Sequence, residues 1–188
     1  GAALFWVFAR HLPEDQPLLA GWCGMLGLVF MLHFGLFHFL SLLWRRLGFH
    51  AEPLMRAPLL ATSLGDFWGN RWNLAFRQLG YDLIFKPYRG LIGPAAATGL
   101  IFLISGLIHE LVISVPARGG YGLPSLYFTA QGLGVLAEKT RVGKQLGLGR
   151  GWRGRAFAIL VAAGPAFWLF HPPFVLNVIL PFMKAAKC

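Results

Sequence analysis

Acidic residues are scarce in this chain: 7 Asp and Glu stand against 17 Lys and Arg in 188 residues, giving a formal net charge of +10. Charge of either sign is low as well, at 13% of residues, where soluble domains carry about 25%. Hydrophobic residues make up 56% and aromatic residues 15%. These proportions exclude a soluble domain built around one water-shielded core and predict an integral membrane protein whose apolar surface faces lipid. Cysteine is equally sparse. Cys23 lies inside an apolar run and Cys188 is the last residue, so neither a disulfide framework nor a zinc site is expected, and no other metal site is. The glycines around Lys144 lack Walker spacing, which leaves only a weak phosphate-binding signal there. No internal repeat and no second domain are visible. A secretory leader is missing too, because Gly1–Ala9 is apolar but short, with no basic start and no cleavage site. That stretch reads as the tail of a helix whose beginning is absent, so the expectation is a C-terminal fragment of a longer protein.

The basic surplus sits in loops between apolar blocks. This placement fits the cytoplasmic-loop bias of membrane proteins rather than nucleic-acid binding, and basic loops also attract lipid headgroups and phosphorylated co-substrates. Leu18–Trp44 runs for 27 residues without Asp, Glu, Lys or Arg, enough to span with tilt. Pro94–Pro116 is a second candidate span, Leu123–Ala137 a shorter one of borderline length, and Ala156–Pro181 a last one interrupted by Pro165 and by His171-Pro172-Pro173. His33 and His38 are five positions apart, on different faces of a helix, and read as polar contacts or cavity lining rather than a metal pair. Between the spans, Ala61–Leu79 places Leu64, Trp68, Trp72, Ala75, Phe76 and Leu79 on one stripe, with Asp66, Asn73 and Arg77 opposite and Thr62 and Ser63 as cap residues. It predicts an amphipathic helix lying in the membrane interface. Gly80–Gly93 and the glycine-rich Glu138–Arg155 read as loops. Arg45–Gly93 carries seven basic residues and Glu138–Arg155 six, against one in Ala117–Gly122. The first two are expected at the cytoplasmic face, with Lys184 and Lys187 as exceptions on the far side. The predicted fold is all-α: a polytopic transmembrane helix bundle of about four spans plus the interfacial helix, in a single membrane domain, 1–188.

Within Thr98–Pro116, His109 and Glu110 stand alone between two uncharged blocks. Ionisable groups at membrane depth are costly and mark function by default. Ser105 and Gly106 precede His109 by four and three positions, so all three share a helix face, and the small residues leave room for either a substrate or a neighbouring helix. Glu110 lies about 100° around the helix from His109 and reads as a packing residue.

Two motifs go further. Ser63–Tyr88 contains S-L-G-D-F-W-G-N-R-W-N, and Ile104–Leu111 reads I-S-G-L-I-H-E-L. Together they resemble the membrane-bound O-acyltransferase family, in particular its wax synthase-like branch, and Phe167–Phe174, F-W-L-F-H-P-P-F, is similar to that branch's last helix. The resemblance covers roughly Leu60–Phe174. Position 70 is Asn, where that branch often has a basic residue. The resemblance implies many helices around a central chamber, with N-terminal helices of the family absent here. It implies that His109 is the catalytic histidine, that Asn73 is its helper, and that Ser105, Gly106, Trp72 and Arg71 bind substrate. It also implies transfer of a fatty acyl group from acyl-CoA, as co-substrate and without a bound cofactor, to a long-chain alcohol, giving a wax ester. A neutral imidazole suits removal of the hydroxyl proton, and an asparagine amide suits the oxyanion, or alternatively orients the histidine or the acyl-CoA. The same chemistry on a sterol, diacylglycerol or another hydroxyl acceptor is the alternative. A transporter or proton relay through His33, His38, His109 and Glu110 is a different class of reading. A non-catalytic fragment is a third. The expected site of residence is the endoplasmic reticulum membrane in a eukaryote, or the inner membrane in a bacterium.

Overall fold

A computed structural model describes residues 1–13 and 15–186; Glu14, Lys187 and Cys188 lie outside them. Every element among the described residues is helical. Two helices are long and apolar enough to cross a membrane, Pro17–Arg46 and Pro94–Ala117. A third is reached if Gly151–Leu169 and Pro172–Ala185 count as one broken span. Leu123–Lys139, with 17 residues, falls short, so the expected four spans become two or three. The described residues group into two compact units.

The first unit gathers residues 1–53, 111–121 and 170–186. Its core is Phe5, Ala9, Met25, Ile179 and Met183, with Trp22, Phe170 and Phe174 packed around them. The break in the last apolar stretch falls at His171, which is fully buried. Its Nδ1 accepts the Phe174 N–H at 3.2 Å and its Nε2 lies 3.2 Å from Ser114 Oγ. The imidazole thus caps the helix that the two prolines restart, as an N-cap acceptor does.

The second unit comprises residues 54–110 and 122–169. The Pro94–His109 helix packs along Leu123–Lys139. Small residues permit the approach: a Cβ on Gly106 would come within 2.9 Å of Ser125 Cα, and one on Gly132 within 3.0 Å of Phe102 Cβ. Glu110 accepts the Ser125 N–H at 3.0 Å. Its carboxylate therefore satisfies an orphan donor in the first turn of the adjoining helix, where the helix dipole also favours negative charge.

The predicted amphipathic helix at Ala61–Leu79 is two pieces. Ser63 caps the first by accepting the Asp66 N–H at 2.9 Å, and helical structure runs from Leu64 through a wide turn at Phe67–Arg71. Trp72 is then extended and Asn73 left-handed, at φ 44°. The helix restarts at Leu74 and continues through Tyr81–Phe85 to Ile92, so the stretch expected as a loop is helical up to the residue before Gly93. The break is stable because residues 54–56 supply hydrogen bonds that a continuous helix would have made internally. Arg56 N–H donates to Arg71 O at 2.8 Å and Leu74 N–H to Leu54 O at 2.9 Å.

The glycine-rich stretch after Glu138 is also helical, over Arg141–Leu146 and from Gly151 onward. Two of its glycines serve close packing: a Cβ on Gly143 would run into Ala137 O, and one on Gly154 into Thr62 O. Glu138 itself is buried at the end of its helix, 8% exposed. It accepts the backbone N–H groups of Leu64 and Gly65. Burial pushes its carboxyl above the usual range, against the opposing pull of those two donors. Glu138→Ala removes the acceptor of two N–H groups at once and is expected to cost about 1–3 kcal/mol. Glu138→Gln, which keeps one acceptor oxygen, is expected to cost less. Unfolding of the detergent-purified variants checks the order; equal stability of Ala and wild type would contradict it.

Candidate active site

Both pieces of the broken helix and the packed helix pair of the second unit line one half-open cavity of about 470 Å³, within the roughly 300–1,000 Å³ of ligand sites. Trp68, Phe102 and Phe128 form an aromatic wall, and His109, Ser105, Asn73 and Trp72 face the same space. Arg77 and Lys139 are the two charged side chains on its lining.

The wall is held from behind. Trp68 Nε1–H donates to Gln131 Oε1 at 3.2 Å, and Gln131 Nε2 donates to Val161 O at 2.7 Å. Gln131 is fully buried, so its amide is committed to these partners and fixes the indole. The Trp68 ring lies 5.9 Å from both Phe102 and Phe128, a spacing at which aromatic pairs attract.

His109 Nδ1 lies 2.7 Å from the carbonyl oxygen of Ser105, one turn back on its own helix. A carbonyl only accepts, so Nδ1 carries the proton and, in the neutral ring, Nε2 carries the lone pair. The ring packs 4.3 Å from Phe128, tilted by 39°. Ser105 is buried, and its hydroxyl donates to Ile101 O at 2.8 Å. On this helix, then, backbone carbonyls take up the polar hydrogens of both side chains, leaving one basic nitrogen for whatever enters the cavity.

Asn73 sits at the helix break. Its Oδ1 accepts the Phe76 N–H at 3.3 Å, which places Nδ2 as the remaining donor of the amide. Asn is among the few residues that tolerate the left-handed backbone found here, and it caps the following helix at the same time.

Of the residues expected in the site from sequence, His109, Asn73, Ser105 and Trp72 line the cavity, and two do not. Gly106 faces the adjoining helix, its missing side chain replaced by Ser125 and Phe128. Arg71 braces the turn instead: its Nε lies 2.7 Å from Asp66 Oδ2, and its Nη1 donates to the carbonyls of Arg56 and Ala57. Burial raises the Asp66 carboxyl, but hydrogen bonds from Arg71, Asn70 and the Thr62 N–H outweigh it and hold the group below its usual value. Sequence reading missed the wall residues Phe102 and Phe128, the support from Gln131, and the cavity positions of Gly69, Arg77 and Lys139. Gln131 was visible as a lone amide in an apolar run; nothing local marked the others.

Residues 51–130 match the membrane bound O-acyl transferase family. Among curated proteins, the chain is 32% identical over 145 residues to probable long-chain-alcohol O-fatty-acyltransferase 7 of Arabidopsis thaliana, covering 70% of this chain and 42% of that protein. Over 79 residues it is 42% identical to probable long-chain-alcohol O-fatty-acyltransferase 9 of the same organism, covering 38% of this chain and 23% of that protein. Over 75 residues it is 40% identical to the Arabidopsis acyl-CoA–sterol O-acyltransferase 1, covering 36% of this chain and 21% of that protein. The chain thus spans less than half the length of the curated relatives it matches. No solved structure matches.

The backbone at position 73 yields a prediction that is independent of chemistry. Asn73→Ala loses the cap and gains left-handed strain, for an expected cost of about 1–3 kcal/mol. Asn73→Gly loses the cap alone and is expected within a few tenths of a kcal/mol of wild type. Thermal unfolding in detergent separates the two, and equal destabilisation by Ala and Gly would contradict the left-handed assignment.

Proposed function

We propose, for a chain that belongs to the membrane bound O-acyl transferase family, that the protein transfers a fatty acyl group from acyl-CoA to the hydroxyl of a long-chain alcohol. The observation that carries this reading is the pairing of His109, with its lone pair on Nε2, and the Asn73 amide on one aromatic-walled cavity. The alcohol hydroxyl donates to His109 Nε2, and its oxygen attacks the thioester carbonyl as the proton passes to the imidazole. Oxyanion charge then develops on the former carbonyl oxygen, where Asn73 Nδ2–H is the donor the site offers. Collapse expels the coenzyme A thiolate, which takes the proton back from His109, so imidazole and amide return unchanged. The bound Ser105 carbonyl keeps the Nδ1 tautomer through the cycle and stabilises the transient imidazolium.

The apolar wall suits hydrocarbon, while Arg77 and Lys139, both exposed at the cavity lining, suit the anionic phosphates of coenzyme A. No bound cofactor is needed for these steps. The site resides in an integral membrane protein: of the endoplasmic reticulum in a eukaryotic source, of the inner membrane in a bacterial one. A sterol acceptor is the second reading, favoured by the similarity to a sterol acyltransferase; diacylglycerol has no comparable support.

The test is ester formation by membranes expressing the full-length protein, supplied with acyl-CoA and either fatty alcohol or sterol. His109→Ala is expected to lower the rate by about 10² to 10⁴ while acyl-CoA binding persists, and His38→Ala to retain substantial activity. Ester synthesis near the wild-type rate by well-folded His109→Ala would remove the mechanism.

A further inference from the structure

Gly69 lies in the middle of the wide turn Phe67–Arg71 and lines the cavity beside Trp68 and Trp72. Glycine inside helical structure is destabilising relative to alanine, so a helical glycine calls for a physical use. Two uses are ordinary. One is a left-handed backbone, which Gly69 does not have, as the positive-φ glycines are Gly48, Gly93, Gly120, Gly122, Gly147 and Gly151. The other is close approach of a neighbour, as at Gly106 and Gly132. At Gly69 a Cβ would meet nothing within 4 Å. Neither backbone nor packing uses the missing side chain, and the residue lines the cavity.

The second cavity-lining glycine differs. A Cβ on Gly65 would come within 3.1 Å of Glu138 Oε2, so that position is occupied by the carboxylate that caps the segment. Gly69 is therefore a notch in a wall otherwise built from large rings, on the same short segment that ends at Asn73.

We infer that Gly69 is a specificity-determining position: its notch receives substrate hydrocarbon next to the reacting groups and sets how wide a substrate the site accepts. The inference rests on the acyl transfer proposed above. The hydrocarbon that fills the notch belongs either to the acceptor alcohol or to the acyl group, and these two sources answer to different assays.

The experiment compares Gly69→Ala and Gly69→Leu in the full-length protein with Gly99→Leu as control. Gly99 is a helical glycine whose Cβ would also meet nothing within 4 Å, but it does not line the cavity. Each variant is assayed with linear, branched and ring-bearing alcohols at fixed acyl-CoA, and then with short and long acyl-CoA at fixed alcohol. Filling an apolar pocket by even one methylene shifts selectivity by about tenfold or more. Gly69→Leu is expected to shift kcat/KM by that factor toward narrower alcohols if the acceptor fills the notch, or toward shorter acyl chains if the donor does. Gly69→Ala is expected to shift it the same way by less, with undiminished abundance in the membrane, and carries the test should the Leu variant not accumulate. Gly99→Leu is expected to keep the wild-type preference. Unchanged preference on both axes in a folded Gly69 variant overturns the inference while leaving acyl transfer standing. A wild-type protein that forms no ester from any pair sinks the acyl-transfer reading instead.

Discussion

The Ser105 carbonyl, one turn before His109 and 2.7 Å from its Nδ1, decides what this imidazole can do. Packed against an aromatic wall, a ring N–H left without an acceptor is costly. The helix supplies an acceptor from its own backbone, and that single bond fixes the tautomer, the ring orientation and the nitrogen left basic. Phe128 against the ring limits its rotation further. The rest of the second unit can be understood as what is needed to bring a donor and an apolar wall to that nitrogen. Gly106 and Gly132 let the Leu123–Lys139 helix come close enough to place Phe128, and Glu110 tethers the start of that helix.

The opposite wall depends on a helix that stops and restarts. Asn73 does three things at one position: it accepts a left-handed backbone, caps the helix that follows, and lines the cavity. A continuous helix through Trp72 and Asn73 would have kept the polar stripe away from the tryptophans, as the periodicity suggests. The break puts Trp68, Trp72 and Asn73 on one cavity. Its ends are pinned by Glu138 on the first piece and by the Asp66–Arg71 pair across the turn.

The long apolar runs, the cap at Ser63, the packing role of Glu110 and the isolated His109 were all legible in the sequence, because each depends on composition or on spacing within one helix. The break at Trp72 was not. The backbone partners that make it tolerable come from Leu54 and Arg56, far enough away in sequence to leave no local mark. Glu138 is further still, 74 positions from the N–H it satisfies. The glycines after Glu138 misled for the same reason: Gly143 and Gly154 look like flexibility until Ala137 O and Thr62 O are seen against them. Arg71, expected at substrate, is taken up by Asp66 and two carbonyls of the preceding strand of chain. What sequence alone could not resolve was in each case a contact made between elements.

Acyl transfer at this site requires substrate hydrocarbon to occupy the cavity that His109 and Asn73 line. The most direct measurement is photolabelling of the full-length protein in membranes with a diazirine-bearing long-chain alcohol, followed by mapping of the labelled peptides. Label is expected in residues 65–85, 98–109 or 128–139, which line the cavity, and is expected to be competed away by unlabelled long-chain alcohol. Competable label confined to other segments, with none on these walls, would contradict it.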